Sequence, residues 1–145
     1  DTLLAAHKAP AFVAVLMDNS GGAERTADLG NAERMVTFIG NQLLPYVRAH
    51  WRVTADPHRV IATGSSAGGL ASSFVALRRP DLVGNVLSQS GAFWRGAEAS
   101  NDAPYEFLTS HVASIPKRDL RFFMDGGVAS KSADQVLIDT GGLLL

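Results

Sequence analysis

Ser66 is the side chain in this sequence best placed to do chemistry. It sits at the centre of Gly64-Ser65-Ser66-Ala67-Gly68, a G-x-S-x-G pentapeptide with a glycine two residues to either side of one hydroxyl. A serine nucleophile held on a sharp turn between a strand and a helix needs small residues at those two places, because the two backbones nearly touch there. Ser65 would have Thr63 and Ala67 in the same places, so the spacing selects Ser66. The pentapeptide recurs by chance in glycine- and serine-rich loops, and its flanks decide between the two readings. Val60, Ile61 and Ala62 read as a strand before it, and Leu70, Phe74 and Leu77 recur at helical spacing after it. At the start of such a helix, unpaired N–H groups and the helix dipole favour developing negative charge. The N–H of Ala67 is therefore expected to be one oxyanion donor.

The elements that must position Ser66 follow from periodicity and punctuation. Asp1 to Pro10 reads as a short helical or irregular lead-in. Phe12 to Met17, FVAVLM, is a continuous apolar run expected to be a strand covered on both faces. It ends in the loop signal Asp18-Asn19-Ser20-Gly21-Gly22. From Leu29 to His50, Met35, Val36, Ile39, Leu43, Leu44 and Val47 recur at helical spacing, and Pro45 is expected to kink that helix or start a new one. Trp51 just after it is expected in the core. Further strands are expected at Val83 to Leu87 and Leu120 to Met124, with a helix between them from Tyr105 to Ile115. Ala133 to Leu145 reads as the start of another helix.

Strands alternating with helices predict an α/β fold, a parallel-type sheet sandwiched by helices, in one domain spanning residues 1–145. Active sites of such sheets lie beyond the carboxyl ends of the strands. Asp18 with Asn19, Ser66 and Asp125 all fall at expected strand ends and are expected to converge there.

Composition narrows the partners. Thirteen basic residues against fourteen acidic ones leave a net charge of −1, which argues against a nucleic-acid or membrane-surface partner. No apolar run is long enough to span a bilayer. Zero cysteines exclude disulfides and a thiol nucleophile and leave the compartment open, with the cytoplasm favoured over the periplasm or export. Neither a metal-ligand cluster nor a phosphate-binding G-x-x-x-x-G-K is present, so no metal or cofactor is expected. Oligomeric state is not legible.

Several segments together resemble the esterase D superfamily of α/β-hydrolases and, within it, the enterochelin (siderophore) esterases. They are VLMDNSGGAERTADL, the helix ending QLLPYV, DPHRVIATGSSAGGLAS, PDLVGNVLSQSGAFW and LRFFMDGG. Arg25 followed by Asp28-Leu29 resembles the family's Arg-x-x-Glu-Leu, with Asp in place of Glu. The resemblance implies an α/β-hydrolase fold and hydrolysis of a small-molecule ester by serine, acid and histidine, on siderophore or aryl-acid esters. It implies a second oxyanion donor at Asn19 or its immediate neighbours. It implies a carboxylate after the LRFFMDGG strand, with Asp134 the first candidate and Asp125 the second. Triad order in this fold places the histidine after the acid. His7, His50 and His58 precede Ser66, and His111 precedes the LRFFMD strand. The expectation is therefore a fragment that lacks the family's first strands and its C-terminal histidine segment. An acyltransferase with the same catalytic parts, or a non-catalytic hydrolase-like scaffold, remain alternatives.

Three further residues bear on substrate. Arg25 either holds an anionic group near the nucleophile or pairs at the surface with Asp28 or Glu24. Trp94 and Arg95 either form an aromatic and cationic wall for a catechol or feruloyl ring or pack the edge of the core.

Overall fold

A computed structural model describes residues 2–18, 21–30, 33–94 and 107–126. A short helix α1 (Thr2–Ala5) leads into an extended segment, followed by α2 (Gly22–Leu29) and α3 (Glu33–Phe38). A π-helical turn (Ile39–Leu43) joins α3 to α4 (Leu44–His50). After a 3₁₀ turn (Pro57–Arg59) come β1 (Ile61–Ser65), α5 (Ala67–Arg78), β2 (Asn85–Gln89), α6 (Phe107–Ser114) and β3 (Arg121–Asp125). The three strands form one parallel sheet in the order β1-β2-β3. The expected α/β class, a parallel sheet flanked by helices, is the observed one.

Parallel neighbours need crossover connections, and the apolar spacing of α5 and α6 supplies them. α5 packs against both β1 and β2. Leu70, Phe74, Val75, Ala76 and Leu77 of α5 are buried in one core with Val86 of β2, Leu108 of α6, and Leu29, Met35 and Val36 from α2 and α3. In-register Ala62, Val86 and Phe122 point into that core, with Met124 two residues on. The alternate positions point the other way. There Ile61 is 64% and Phe123 66% exposed, so among the described residues the helices cover one sheet face and leave the other open.

Two expectations fail for identifiable reasons. Phe12–Met17 is not a strand: the described residues give it no ladder, and Phe12 and Leu16 are 72% and 93% exposed. A strand is made by hydrogen bonds to a neighbour, which apolar composition cannot supply. Asp18 therefore does not end a sheet strand, and among the described residues of the expected set Ser66 and Asp125 stand at the sheet edge. Trp51 is not core either. It is 51% exposed and stacks edge-on to Tyr46, with ring centroids 6.0 Å apart.

Pro45 acts differently from a simple kink. The Leu44 N–H reaches back to the Ile39 carbonyl, an i to i−5 bond, and Pro45 then falls in the first turn of α4, where a missing N–H costs nothing. Gly40 in this π turn leaves room for the Arg79 guanidinium and Leu82, which occupy the space a Cβ would take. Arg79 there grips Asp81 with two parallel bonds, Nε to Oδ1 and Nη2 to Oδ2, each 2.9 Å.

The Arg79 hydrogen bonds hold the Asp81 carboxyl below the ordinary carboxylate value. A depressed folded-state value means the pair stabilises the fold above the unfolded value, near pH 4, and loses that contribution as pH falls through the folded value. The pair is largely exposed, so its worth is under about 1 kcal/mol. Asp81→Asn should lower stability by that small amount at pH 7, and the gap between variant and wild type should close as pH falls from the ordinary carboxylate range down through the depressed folded-state value, as read by urea titrations.

Candidate active site

The last residue of β1 and the first of α5 flank a single residue, Ser66, with φ 55° and ψ −119°. Few side chains tolerate positive φ, and a residue held there stores about 1–3 kcal/mol of strain. Gly64 explains why the chain accepts it. A Cβ on Gly64 would stand 2.5 Å from the Gly68 carbonyl carbon and 2.6 Å from its oxygen, so strand and helix meet backbone to backbone. Gly68 behaves differently: a Cβ there would meet nothing within 4 Å. The requirement for smallness falls on the strand side of the pentapeptide alone. One turn further, a Cβ on Gly69 would collide with the Ser88 hydroxyl of β2.

The turn is clamped by β2 and the loop after it. The Ser66 N–H donates to the Gln89 carbonyl (2.9 Å). The Ser66 carbonyl accepts from the N–H groups of Ala92 (3.0 Å) and Leu70 (3.2 Å). The side chain is left out of this network. Ser66 is the N-cap of α5, where a serine ordinarily bonds back to the helix, yet it makes no capping bond and is exposed. A hydroxyl at a strained turn and a helix N-terminus, uncommitted to capping, is a nucleophile's arrangement. The adjoining Ala67 N–H is among the first-turn donors that intrahelical bonds leave unsatisfied.

Asp125 ends β3 on the same sheet edge, in register with Gln89 and, beyond it, Ser65. Two strand spacings put it about 10 Å from the elbow. Its Oδ1 accepts from the Ser90 N–H at 3.0 Å. The three histidines with described side chains lie elsewhere. His58 belongs to the turn before β1, at the opposite edge of the sheet, 3.6 Å from Asp119. His50 stacks on Tyr46 at the exposed end of α4, and His7 lies in the N-terminal lead-in. The His111 side chain, Asn19, Arg95 and Asp134 lie outside the described residues. Arg25 is exposed on α2, and Asp28 is paired with Arg34 at 2.7 Å. Trp94 is half-exposed, directly after the buried Phe93.

Sequence spacing did not single out Ser88, Ser90 or Ala92. Ser90 has φ 47°, and this left-handed step turns the chain so that Ala92 reaches Ser66. Ser88 is fully buried, and its hydroxyl has no hydrogen-bond partner. Ser88 and Gln89 complete β2 and the chain leaves the sheet at Ser90; the hold of this segment on the elbow is a contact between distant segments, which spacing does not show. Among the described residues no three His, Asp or Glu side chains group as a metal site, and no helix is long and apolar enough to cross a membrane.

This parallel sheet with its serine elbow defines an α/β-hydrolase fold. A family model described as "Putative esterase" matches residues 1–140, and the chain belongs to that family, in its enterochelin esterase-like branch. It is 32% identical over 118 residues to an iron(III) salmochelin esterase of Escherichia coli, covering 75% of this chain and 29% of that protein. It is 31% identical over 106 residues to the uncharacterized protein YbbA of Bacillus subtilis, covering 72% of this chain and 39% of YbbA. The enterobactin esterase of Shigella flexneri, crystallised in the presence of 2,3-dihydroxy-N-benzoyl-glycine, superposes with a TM-score of 0.88 at 23% identity, covering 99% of this chain and 38% of that one. The chain thus spans less than two-fifths of the length of each of these proteins.

The asymmetry of the elbow is testable. Gly64→Ala should destabilise the protein by about 1–3 kcal/mol or prevent folding, because backbone cannot move aside as a flexible side chain can. Gly68→Ala should be neutral or stabilise by up to about 1 kcal/mol and leave the fold intact, because its Cβ enters open space in a helix. Thermal or urea unfolding of the two variants reads the difference.

Proposed function

We propose that the protein is a serine carboxyl-ester hydrolase acting through an acyl-enzyme on siderophore (enterochelin-like) or aryl-acid esters. The observation that carries this reading is the conformation of Ser66: positive φ, exposed, at a helix N-terminus, with its hydroxyl committed to no cap. Support for the substrate class comes from those relatives that are named as salmochelin and enterobactin esterases.

In this reading Ser66 Oγ attacks the ester carbonyl carbon while a histidine takes its proton. The carbonyl oxygen becomes an oxyanion facing the Ala67 N–H and a second donor at Asn19; one such donor is worth about 3–4 kcal/mol of transition-state stabilisation. The bond to the alcohol breaks as the histidine returns the proton to the leaving oxygen. Water, deprotonated by the same histidine, then releases the acid and restores Ser66. Asp134 orients the histidine, and Arg25, Trp94 and Arg95 face the anionic, aromatic substrate. In this reading the histidine follows the acid in the chain, as the order of the triad in this fold requires, and His58, at the opposite end of the strands, does not serve.

The test is labelling of the full-length protein with a fluorophosphonate. Stoichiometric modification at Ser66, abolished in Ser66→Ala together with at least about a 10⁴-fold loss of ester hydrolysis, is the expected result. A siderophore specialist should also cleave ferric enterobactin better than p-nitrophenyl acetate. Absence of labelling in the full-length protein would instead mark a hydrolase-like binding scaffold.

A further inference from the structure

The Asp125 carboxylate stands on the path that holds the elbow in place. Ser90, directly after β2, has φ 47° without being glycine. Its N–H is shared between two acceptors on one residue, the Asp125 main-chain carbonyl at 2.9 Å and the Asp125 Oδ1 at 3.0 Å. The carbonyl bond continues the parallel ladder from Gln89 and Asp125. The carboxylate bond is additional, and it falls where the chain leaves the sheet in a disfavoured conformation. Two residues on, the Ala92 N–H returns to the Ser66 carbonyl at 3.0 Å, while the Gln89 carbonyl, one residue before Ser90, takes the Ser66 N–H at 2.9 Å. Both main-chain polar groups of Ser66 are thus bonded by residues that flank Ser90. The apolar end of the same loop is anchored as well, since Ala92 and Phe93 are buried.

We infer that Asp125 is a positioning residue for the nucleophile, its carboxylate holding Ser90 in the left-handed turn that carries Gln89 and Ala92 to Ser66. This rests on the esterase reading only in taking Ser66 as the nucleophile. The carboxylate touches no reacting atom in this role. Its requirement is an acceptor oxygen at one place, with neither charge nor titration needed. An amide oxygen serves equally well, which separates this role from that of an acid orienting a histidine.

The experiment compares Asp125→Ala and Asp125→Asn in the full-length protein by two independent readouts. The first is the rate of Ser66 labelling by a fluorophosphonate together with kcat and KM for p-nitrophenyl acetate across pH. Asp125→Ala should lower the labelling rate and kcat about 3- to 10-fold with KM nearly unchanged, as loss of one hydrogen bond predicts. Asp125→Asn should stay within about twofold of wild type and keep the shape of the pH profile. The second readout is amide hydrogen exchange at Ser90 and Ala92, which should quicken in Asp125→Ala and recover in Asp125→Asn. Wild-type labelling and exchange in the alanine variant would overturn the inference. So would a loss of about 10⁴-fold in the asparagine variant, which would make Asp125 the orienting acid instead. A wild-type protein that takes no label defeats the esterase reading, and amide exchange alone then decides this one.

Discussion

Where β1 hands over to α5, the Gly64 backbone lies against the Gly68 backbone with no room for a Cβ between them. That contact forces the chain to reverse within one residue, and Ser66 takes a φ that side chains normally avoid. The strain is sustainable because α5 is held by more than its own hydrogen bonds: Leu70 and Ala76 are fully buried in the core. A helix lodged this firmly cannot drift from the strand to relieve the serine. The same rigidity keeps the hydroxyl turned outward at a helix terminus, where an electron-rich group is electrostatically welcome.

The elbow is also a tertiary object. Its main-chain groups are satisfied by Gln89 and Ala92, and the loop bearing them is tied in turn to the end of β3. A parallel sheet makes this economical, because all its strands finish at one edge and the loops that leave them are neighbours. Membership of the esterase family, and superposition on an enterobactin esterase at a TM-score of 0.88, fit a scaffold in which a few fixed backbone contacts outlast wide change in sequence. The helical layer on one face and the exposed Ile61 and Phe123 on the other show how unequally the described residues cover the sheet.

Local signals carried a large part of this fold. The spacing of Leu70, Phe74 and Leu77, the apolar residues at β1 and β3, and the glycine pair around Ser66 each describe a preference that neighbouring residues can express without help. Val83 to Leu87 was legible as a strand, although its ladder begins two residues later, at Asn85. Pairing partners set that boundary, and apolar character does not. Phe12–Met17 carries the same lesson further, since six consecutive apolar residues form no strand without a hydrogen-bonding neighbour among the described residues. Trp51 looked like core by size, but it closes an exposed aromatic cluster with Tyr46 and His50.

The amino-acid sequence alone determined the class of fold and the identity of the strained serine, because these depend on residue type and short-range spacing. Tertiary structure decided which glycine the elbow requires, which backbone groups hold Ser66, and that His58 stands at the far edge of the sheet from it. Those are distances between segments far apart in the chain. They are set by strand register and helix packing, and no local pattern encodes them.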